Sequence, residues 1–320
     1  MTPAMRIYRA LEELPAALPG TVLTVGNFDG IHLGHQRIIT QVINRSREVA
    51  ATALAVTFDP HPAKVLIPEQ APPLLTTLAQ RLDLLAQLGL DAVLVITFTP
   101  ELSRLTPREF VCEIVCSRLA AQALYVGPEF RFGYRQAGDV AELSLLAKEF
   151  GFAVHVVPPV VVRGQAISST LIRELVREGR VERAARLLGR AYALTGTITP
   201  GSGRGAQSLV PTLNFVPEQE CLPGRGVYIT ETLVEGKTYP SATNVGLRPT
   251  FAGDRLVVES HLLDFDRELR EGRLETHFHR RLRAEKEFPS TQALRKQIQR
   301  DLAATRQFFQ RRSTATPLAS

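Results

Sequence analysis

Through the first half of the chain, short continuous apolar runs alternate with runs whose apolar residues recur every three or four positions. TVLTVG (21–26) predicts a buried strand. The segment 33–50 carries Ile38, Ile39, Val42 and Ile43 at helical spacing. ATALAVTF (51–58) is a second strand, and 76–89 a helix that stops at Gly89. DAVLVITF (91–98) is a third strand. A helix over 106–120 opens with Thr106 and places Pro107 at its first position. ALYVG (123–127) and FAVHVV (152–157) are the fourth and fifth strands, with a helix between them. Apolar strands alternating with helices predict a parallel sheet with helices on both faces. After about residue 188 the rhythm changes. YALTGTITPG, GVYITETLVEG, KTYPSATNVG and LVVESHLLDF are β-rich runs separated by Gly, Pro and Ser. The next long helical pattern is 290–309. This half predicts an antiparallel β-barrel with a C-terminal helix. VERAARLLGR (181–190) reads as a connecting helix, which puts the domains at 1–188 and 189–310. The polar residues 311–320 read as a tail.

Composition narrows the class. A chain of 320 residues suits two domains of ordinary size. It is 44% hydrophobic and has no Trp, so the cores are aliphatic. The net charge of +6 admits nucleic acid, but arginines also serve nucleotide phosphates, and no basic block is interleaved with aromatics. Cys112, Cys116 and Cys221 have no nearby CxxC or HxxxH to complete a zinc site and read as reduced thiols. No apolar run approaches about 18 residues, and the N-terminus lacks a charged segment leading into an apolar one. The chain reads as cytoplasmic and soluble, with no membrane partner.

The first chemistry lies just past the first strand, in TVGNFDGIHLGHQ (24–36). Ligands of open α/β sheets sit at the C-terminal ends of the strands. Glycines there let the backbone approach a nucleotide closely, and the N-terminus of the helix that follows favours phosphate. His32 and His35 are candidates to donate to one phosphate as charge gathers on it. By itself the segment is also an ordinary Gly-rich turn. A second segment, ISSTLIRELV (167–176), supplies Ser168, Ser169 and Thr170 at a helix start, with Arg173 one turn on. Together the two describe nucleotidyl transfer: an α-phosphate near the histidines and a leaving pyrophosphate near the arginine.

The ordered series GNFDGIHLGH, TFDPHP, VGPEFRFGYRQAGD and ISSTLIREL, followed by PTLN, GVY, ATNVGLRPTF, VESHLLDF and RLRAEKEF, resembles the bacterial bifunctional riboflavin kinase/FAD synthetases from about residue 20 to 309. The resemblance implies a Rossmann-like nucleotidyltransferase domain followed by a riboflavin-kinase barrel. In the first, AMP passes from ATP to FMN, giving FAD and pyrophosphate. Gly26, Asn27, Phe28, Asp29, Gly30, His32, Gly34 and His35 would cradle ATP. Ser168, Ser169, Thr170 and Arg173 would hold its phosphates. Pro60, His61 and Pro62, with Glu129, Phe130 and Arg131, would shape the FMN end. Glu129 departs from the Asp or Asn usual there.

For the second domain, PGSGRGAQSLVPTLN (200–214) lacks the P-loop pattern and by itself is any Gly/Ser loop. The resemblance makes Gly201, Gly203, Arg204, Gly205 and Pro211 part of a second ATP cradle, and Thr212 and Asn214 ligands of Mg²⁺ and ATP. It makes Glu259 the base for the ribityl hydroxyl. Asn244, Gly246 and Arg283 would line the flavin. Leu209, Leu213, Arg270 and Glu271 depart from the common pattern. The implied partners are riboflavin, FMN and ATP, with no nucleic acid, and a weak homo-oligomer stays open. Two alternatives remain beside this reading: an adenylyltransferase for another substrate with a non-catalytic β-rich domain, and a basic nucleic-acid-binding protein.

Overall fold

A strand buried along its whole length needs cover on both faces, and β2 (Thr21–Val25) is such a strand. In the computed structural model, which describes residues 4–15, 18–199, 212–250, 253–267 and 269–315, β2 sits near the middle of a six-stranded sheet. The others are β1 (Arg6–Tyr8), β3 (Thr52–Asp59), β4 (Ala92–Thr97), β5 (Ala121–Val126) and β6 (Ala153–Val156), in the order β1-β4-β3-β2-β5-β6. Every pairing is parallel. Alternate residues divide between two cores. Leu23, Leu54, Leu94 and Leu124 pack with Phe110, Val111 and Leu143 on one face. Val22, Ala53, Val93 and Ala123 pack with Ile39, Val42, Leu82 and Leu85 on the other. The helices are α1 (Leu33–Glu48), α2 (Pro62–Leu66), α3 (Leu78–Gln87), α4 (Pro107–Glu109) and α5 (Val140–Phe150).

Within this sheet unit, two features depart from the sequence expectation. β1 is an added edge strand. It has three residues, none of them buried, so it carries no apolar signal. The helix expected over 106–120 begins as α4, capped reciprocally by Thr106 and Glu109, and continues as a π-helix over Phe110–Arg118. Its wider turn is closed by Leu119 N–H donating to the Ile114 carbonyl (3.0 Å).

The chain divides into two compact units, Met1–Ser169 and Thr170–Ser320. After the short hairpin β7 (Val161–Val162) and β8 (Gln165–Ala166) come α6 (Ser169–Arg177) and α7 (Val181–Leu188). The compact division therefore precedes the change of rhythm near residue 188 by these two helices. The reason is packing: α7 buries Val181, Ala184, Leu187 and Leu188 and lies against strands of the second unit.

That second unit is a closed antiparallel barrel in the order β10-β13-β12-β11-β14-β9. Its strands are β9 (Tyr192–Thr199), β10 (Leu213–Pro217), β11 (Gly226–Val234), β12 (Lys237–Thr250), β13 (Gly253–Leu262) and β14 (Arg273–Arg283). Its centre is partly polar. Thr230, Thr232, Ser241, Thr243, Ser260 and Thr276 are fully buried. They bond to one another, as in Thr230–Thr243 (2.7 Å) and Thr243–Ser260 (2.8 Å), so these buried hydroxyls are satisfied. Helix α8 (Thr291–Ala315) packs on β12 and β11. It extends into the stretch expected to be a tail, because no glycine or proline interrupts it before Pro317; residues 316–320 lie outside the described ones.

Close packing of β9 on β10 gives a stability prediction. A Cβ on Gly196 would run into the Val216 carbonyl and meet the Phe215 ring at 2.6 Å. Gly196→Ala should destabilise the barrel by about 1–3 kcal/mol, read as a lower midpoint in thermal denaturation. An unchanged midpoint would mean that the two strands part freely.

Candidate active sites

In the first unit, the segment after β2 is held in an unusual backbone. Gly26 N–H still bonds to the Val56 carbonyl (3.0 Å). The chain then turns through positive φ at Phe28 (48°), Gly30 (83°) and Ile31 (41°). A left-handed Phe or Ile is strained and persists only where its surroundings fix it. Here both side chains are buried in the core. Asp29 anchors the turn from the other side. Its carboxylate, 2% exposed, accepts from the N–H groups of Leu75 (3.0 Å) and Thr76 (3.1 Å) and from the Thr76 hydroxyl (3.1 Å). The structure thus gives the carboxylate of this expected ATP-binding residue a clear part in shaping the loop. Gly30 N–H also donates to the Thr76 hydroxyl (3.1 Å).

His32 caps α1, its Nδ1 accepting from His35 N–H (3.4 Å). That bond leaves the ring proton on Nε2. The His32 and His35 rings stack with centroids 3.6 Å apart, and Phe28 meets His35 edge-on. A Cβ at Gly34 would touch the His32 ring at 3.0 Å, so the stack needs the glycine. Burial, then the His32 ring and the Arg81 guanidinium, hold the His35 pKa well below the usual 6.5. His35 therefore stays neutral at neutral pH, and its Nδ1 is buried with no hydrogen-bond partner. Because the folded protein binds this proton less tightly than the unfolded chain, the associated stability is complete above about pH 6.5 and is lost as pH falls below it.

Neighbouring strand ends bring up two further predicted groups. β3 and β5 flank β2, and all three run parallel. Past the end of β3, the Asp59–Pro60 bond is cis, Pro62 begins α2, and His61 caps it by accepting from Ala63 N–H (3.1 Å). The Asn27 amide meets His61 Nε2 at 3.1 Å, joining this turn to the β2 loop. Past β5, Phe130 packs on the core and stacks on Phe132. Glu129 is exposed, and Arg131 turns to Asp139 (3.5 Å). The predicted serine segment also reaches the loop. Ser168 precedes α6, and the Ser169 hydroxyl donates to the Asp29 carbonyl (2.9 Å). Thr170 and Arg173 follow in α6 and belong to the second unit.

Arg81 was not among the residues picked from sequence. It lies on α3, 1% exposed, with Nη1 donating to the Thr57 hydroxyl (3.1 Å) and the Phe58 carbonyl (3.2 Å). In the pattern QRLD it reads as part of a solvated helix face; only its partners at the end of β3 reveal the inward side chain.

In the barrel, strand register aligns the predicted kinase residues. Asn214 pairs with Glu259, and Glu259 with Asn244. Asn244 pairs with Val227, and Val227 with Arg283. Directly opposite residues on antiparallel strands share a face, so one belt crosses five strands. Asn214 is 9% exposed, and its Oδ1 is buried without a partner. Glu259 is half-buried, and Thr212 is exposed just before β10. Gly246 faces the tip of Glu285: a Cβ there would meet Glu285 Oε1 at 2.5 Å and Asn244 Nδ2 at 3.2 Å. The structure engages Arg283 with α8, where Nε and Nη2 donate to Asp301 Oδ2 (3.0 and 2.9 Å). Gly201, Gly203, Arg204, Gly205, Leu209 and Pro211 lie outside the described residues.

Comparison with known proteins matches these two regions separately. Residues 14–171 match the FAD synthetase family model, and residues 188–309 the riboflavin kinase model. The chain is 36% identical to the bifunctional riboflavin kinase/FMN adenylyltransferase of Pseudomonas fluorescens over 94% of this chain and 97% of that one. It is 33% identical to the protein of the same name from Escherichia coli (strain K12), over 95% and 98%. A crystal structure titled macrolide-efflux protein from Streptococcus pneumoniae shares the fold, with a TM-score of 0.84 and 25% identity over 95% of this chain and 99% of that one. Among the described residues, no helix is long and apolar enough to cross a membrane. With both domain models matched in order and relatives alike over nearly its full length, the chain belongs to the bifunctional riboflavin kinase/FMN adenylyltransferase family of flavin-biosynthetic transferases.

Proposed function

We propose that the barrel phosphorylates riboflavin with ATP to give FMN, and that the sheet-based unit transfers AMP from ATP to FMN to give FAD and pyrophosphate. The observation that carries this reading is that each matched region holds its own set of chemistry-bearing side chains. The stacked His32–His35 pair lies at the end of β2, and the Asn214–Glu259–Asn244 belt crosses the barrel. A need for ATP in both reactions supports a cytoplasmic location.

In the kinase reaction, Glu259 accepts the proton of the ribityl hydroxyl as its oxygen bonds to the γ-phosphorus and ADP departs. Asn214 presents a buried, unpartnered carbonyl oxygen. Together with the Thr212 hydroxyl it forms the hard oxygen donor set that suits Mg²⁺. Bound there, the ion would neutralise charge on the ATP phosphates.

In the adenylyl transfer, an FMN phosphate oxygen attacks the α-phosphorus of ATP and the bond to the β-phosphate oxygen breaks. No covalent enzyme intermediate is needed. Positioning and charge stabilisation suffice. His32, protonated on Nε2, donates to the α-phosphate oxygens as charge gathers there. The neutral His35 backs its ring, and Ser168 and Ser169 add hydroxyls near the loop.

Labelled ATP tests the division. Riboflavin with γ-labelled ATP should give labelled FMN, and FMN with α-labelled ATP should give labelled FAD. Failure of either transfer removes the corresponding half. A variant separates the ATP sites further. Asn214→Ala removes one of the oxygen ligands that would hold Mg²⁺ against the ATP phosphates. Its KM for ATP in riboflavin phosphorylation should rise about tenfold or more, while FAD formation from FMN stays unchanged. An unaltered KM would take Asn214 out of the cradle.

A further inference from the structure

Arg81 is the largest fully buried side chain among the described residues, and none of the steps above uses it. Burying a guanidinium is costly, and a well-packed apolar side chain of similar volume avoids that cost. What the guanidinium supplies here is a bridge. Nη1 donates both to the Thr57 hydroxyl and to the Phe58 carbonyl, just before the cis turn at Pro60. The Thr57 hydroxyl in turn donates to the Asn27 carbonyl (3.3 Å), and the Asn27 amide meets His61 (3.1 Å). One guanidinium thus stands behind both loops: 26–35, assigned to ATP, and 57–62, assigned to the FMN end.

We propose that Arg81 is a positioning residue for adenylyl transfer, locking the 57–62 turn to the 26–35 loop so that the two substrate ends of the site keep their spacing. The inference rests on the assignment of that site made above. A group in this role should act on turnover more than on the affinity for either substrate, because each loop keeps its own contacts while their relative placement changes.

The surrounding charges give the same residue a second, measurable effect. Burial lowers the Arg81 pKa from its usual value, and the carboxylates of Asp29 and Asp59 oppose that shift by favouring the charged guanidinium. Arg81 in turn joins burial and the His32 ring in disfavouring a proton on His35. Among the groups that face His35 are the His32 ring stacked on it, the Phe28 edge and the Arg81 charge. Removing that charge should raise the His35 pKa towards 6.5. A lysine should keep the charge but lose the two-point hold on Thr57 and Phe58.

The test uses the full chain with Arg81→Met and Arg81→Lys. In Arg81→Met, kcat for FAD formation from supplied FMN and ATP should fall about 10²-fold, with both KM values little changed. Riboflavin phosphorylation should be unaffected. The ring signal of His35, identified by its absence in His35→Gln, should titrate at higher pH than in the unmodified protein. Arg81→Lys should keep the low titration and still lose turnover. Unchanged kcat, or a His35 titration that does not move in Arg81→Met, overturns the proposal. Should the Met variant fail to fold, Arg81→Lys decides alone: reduced kcat with unchanged KM supports the role, and full turnover ends it. Failure of the site assignment looks different, because His32→Ala would then form FAD at the normal rate whatever Arg81 does.

Discussion

Replacing His32 with alanine should lower FAD formation from FMN and ATP by about 10²–10³-fold, the usual loss for one preorganised donor to developing charge. Riboflavin phosphorylation should continue at its normal rate. The size of the effect follows from how the ring is held. Its Nδ1 is committed to the His35 N–H, its face to the His35 ring, and its side to Gly34. Such a ring needs no reorganisation when charge develops on a phosphate, which is where a fixed donor gives most. His32→Gln, which keeps a donor without the stack, should fall between alanine and the unmodified protein. The measurement is the initial rate of FAD formation beside the initial rate of FMN formation, in the same preparation. Equal loss of both activities in a folded variant would contradict the assignment.

Glu259→Gln should lower riboflavin phosphorylation by about 10²–10⁴-fold, the range for loss of a general base. Glutamine keeps the size and hydrogen bonding of the side chain but cannot take the proton. Because ATP is held by other residues in this account, the KM for ATP should change little and the loss should fall on kcat. Supplied FMN should still become FAD. A Glu259→Gln protein that phosphorylates riboflavin at the normal rate would remove this residue from the mechanism, and the belt would then need another base.

The alternation of strands and helices in the first half was legible because both faces of the sheet are covered. Every central strand is therefore a plain apolar run, and the longer helices α1, α3 and α5 show an apolar stripe. β1 was not, since Arg6–Tyr8 pairs at an edge and only Tyr8 is partly buried. β14 is a different case. Leu274, Thr276 and Phe278 are buried at alternate positions, but Thr276 reads as polar beside Glu275 and His277, and the arginines that flank the run hide the period of two. The hydroxyl centre of the barrel was also hidden, because a buried Thr or Ser looks like a polar one until its partner on the next strand is known. At the sites, local motifs could mark the loops that meet at the strand ends, whereas groups acting across the fold could not be read. The carboxylate of Asp29 finds its donors at residues 75 and 76, and Arg283 finds Asp301 on a helix that follows the barrel. Arg81, surrounded in sequence by Gln80, Leu82 and Asp83, carries no signal of the turn it grips.

The most direct test of the account is a time course of the full chain with riboflavin, ATP and Mg²⁺, in which riboflavin, FMN and FAD are separated at each point. FMN should appear first and FAD should follow at its expense. FMN that accumulates with no FAD, or riboflavin that is never consumed while supplied FMN is adenylylated, would contradict a chain that performs both reactions.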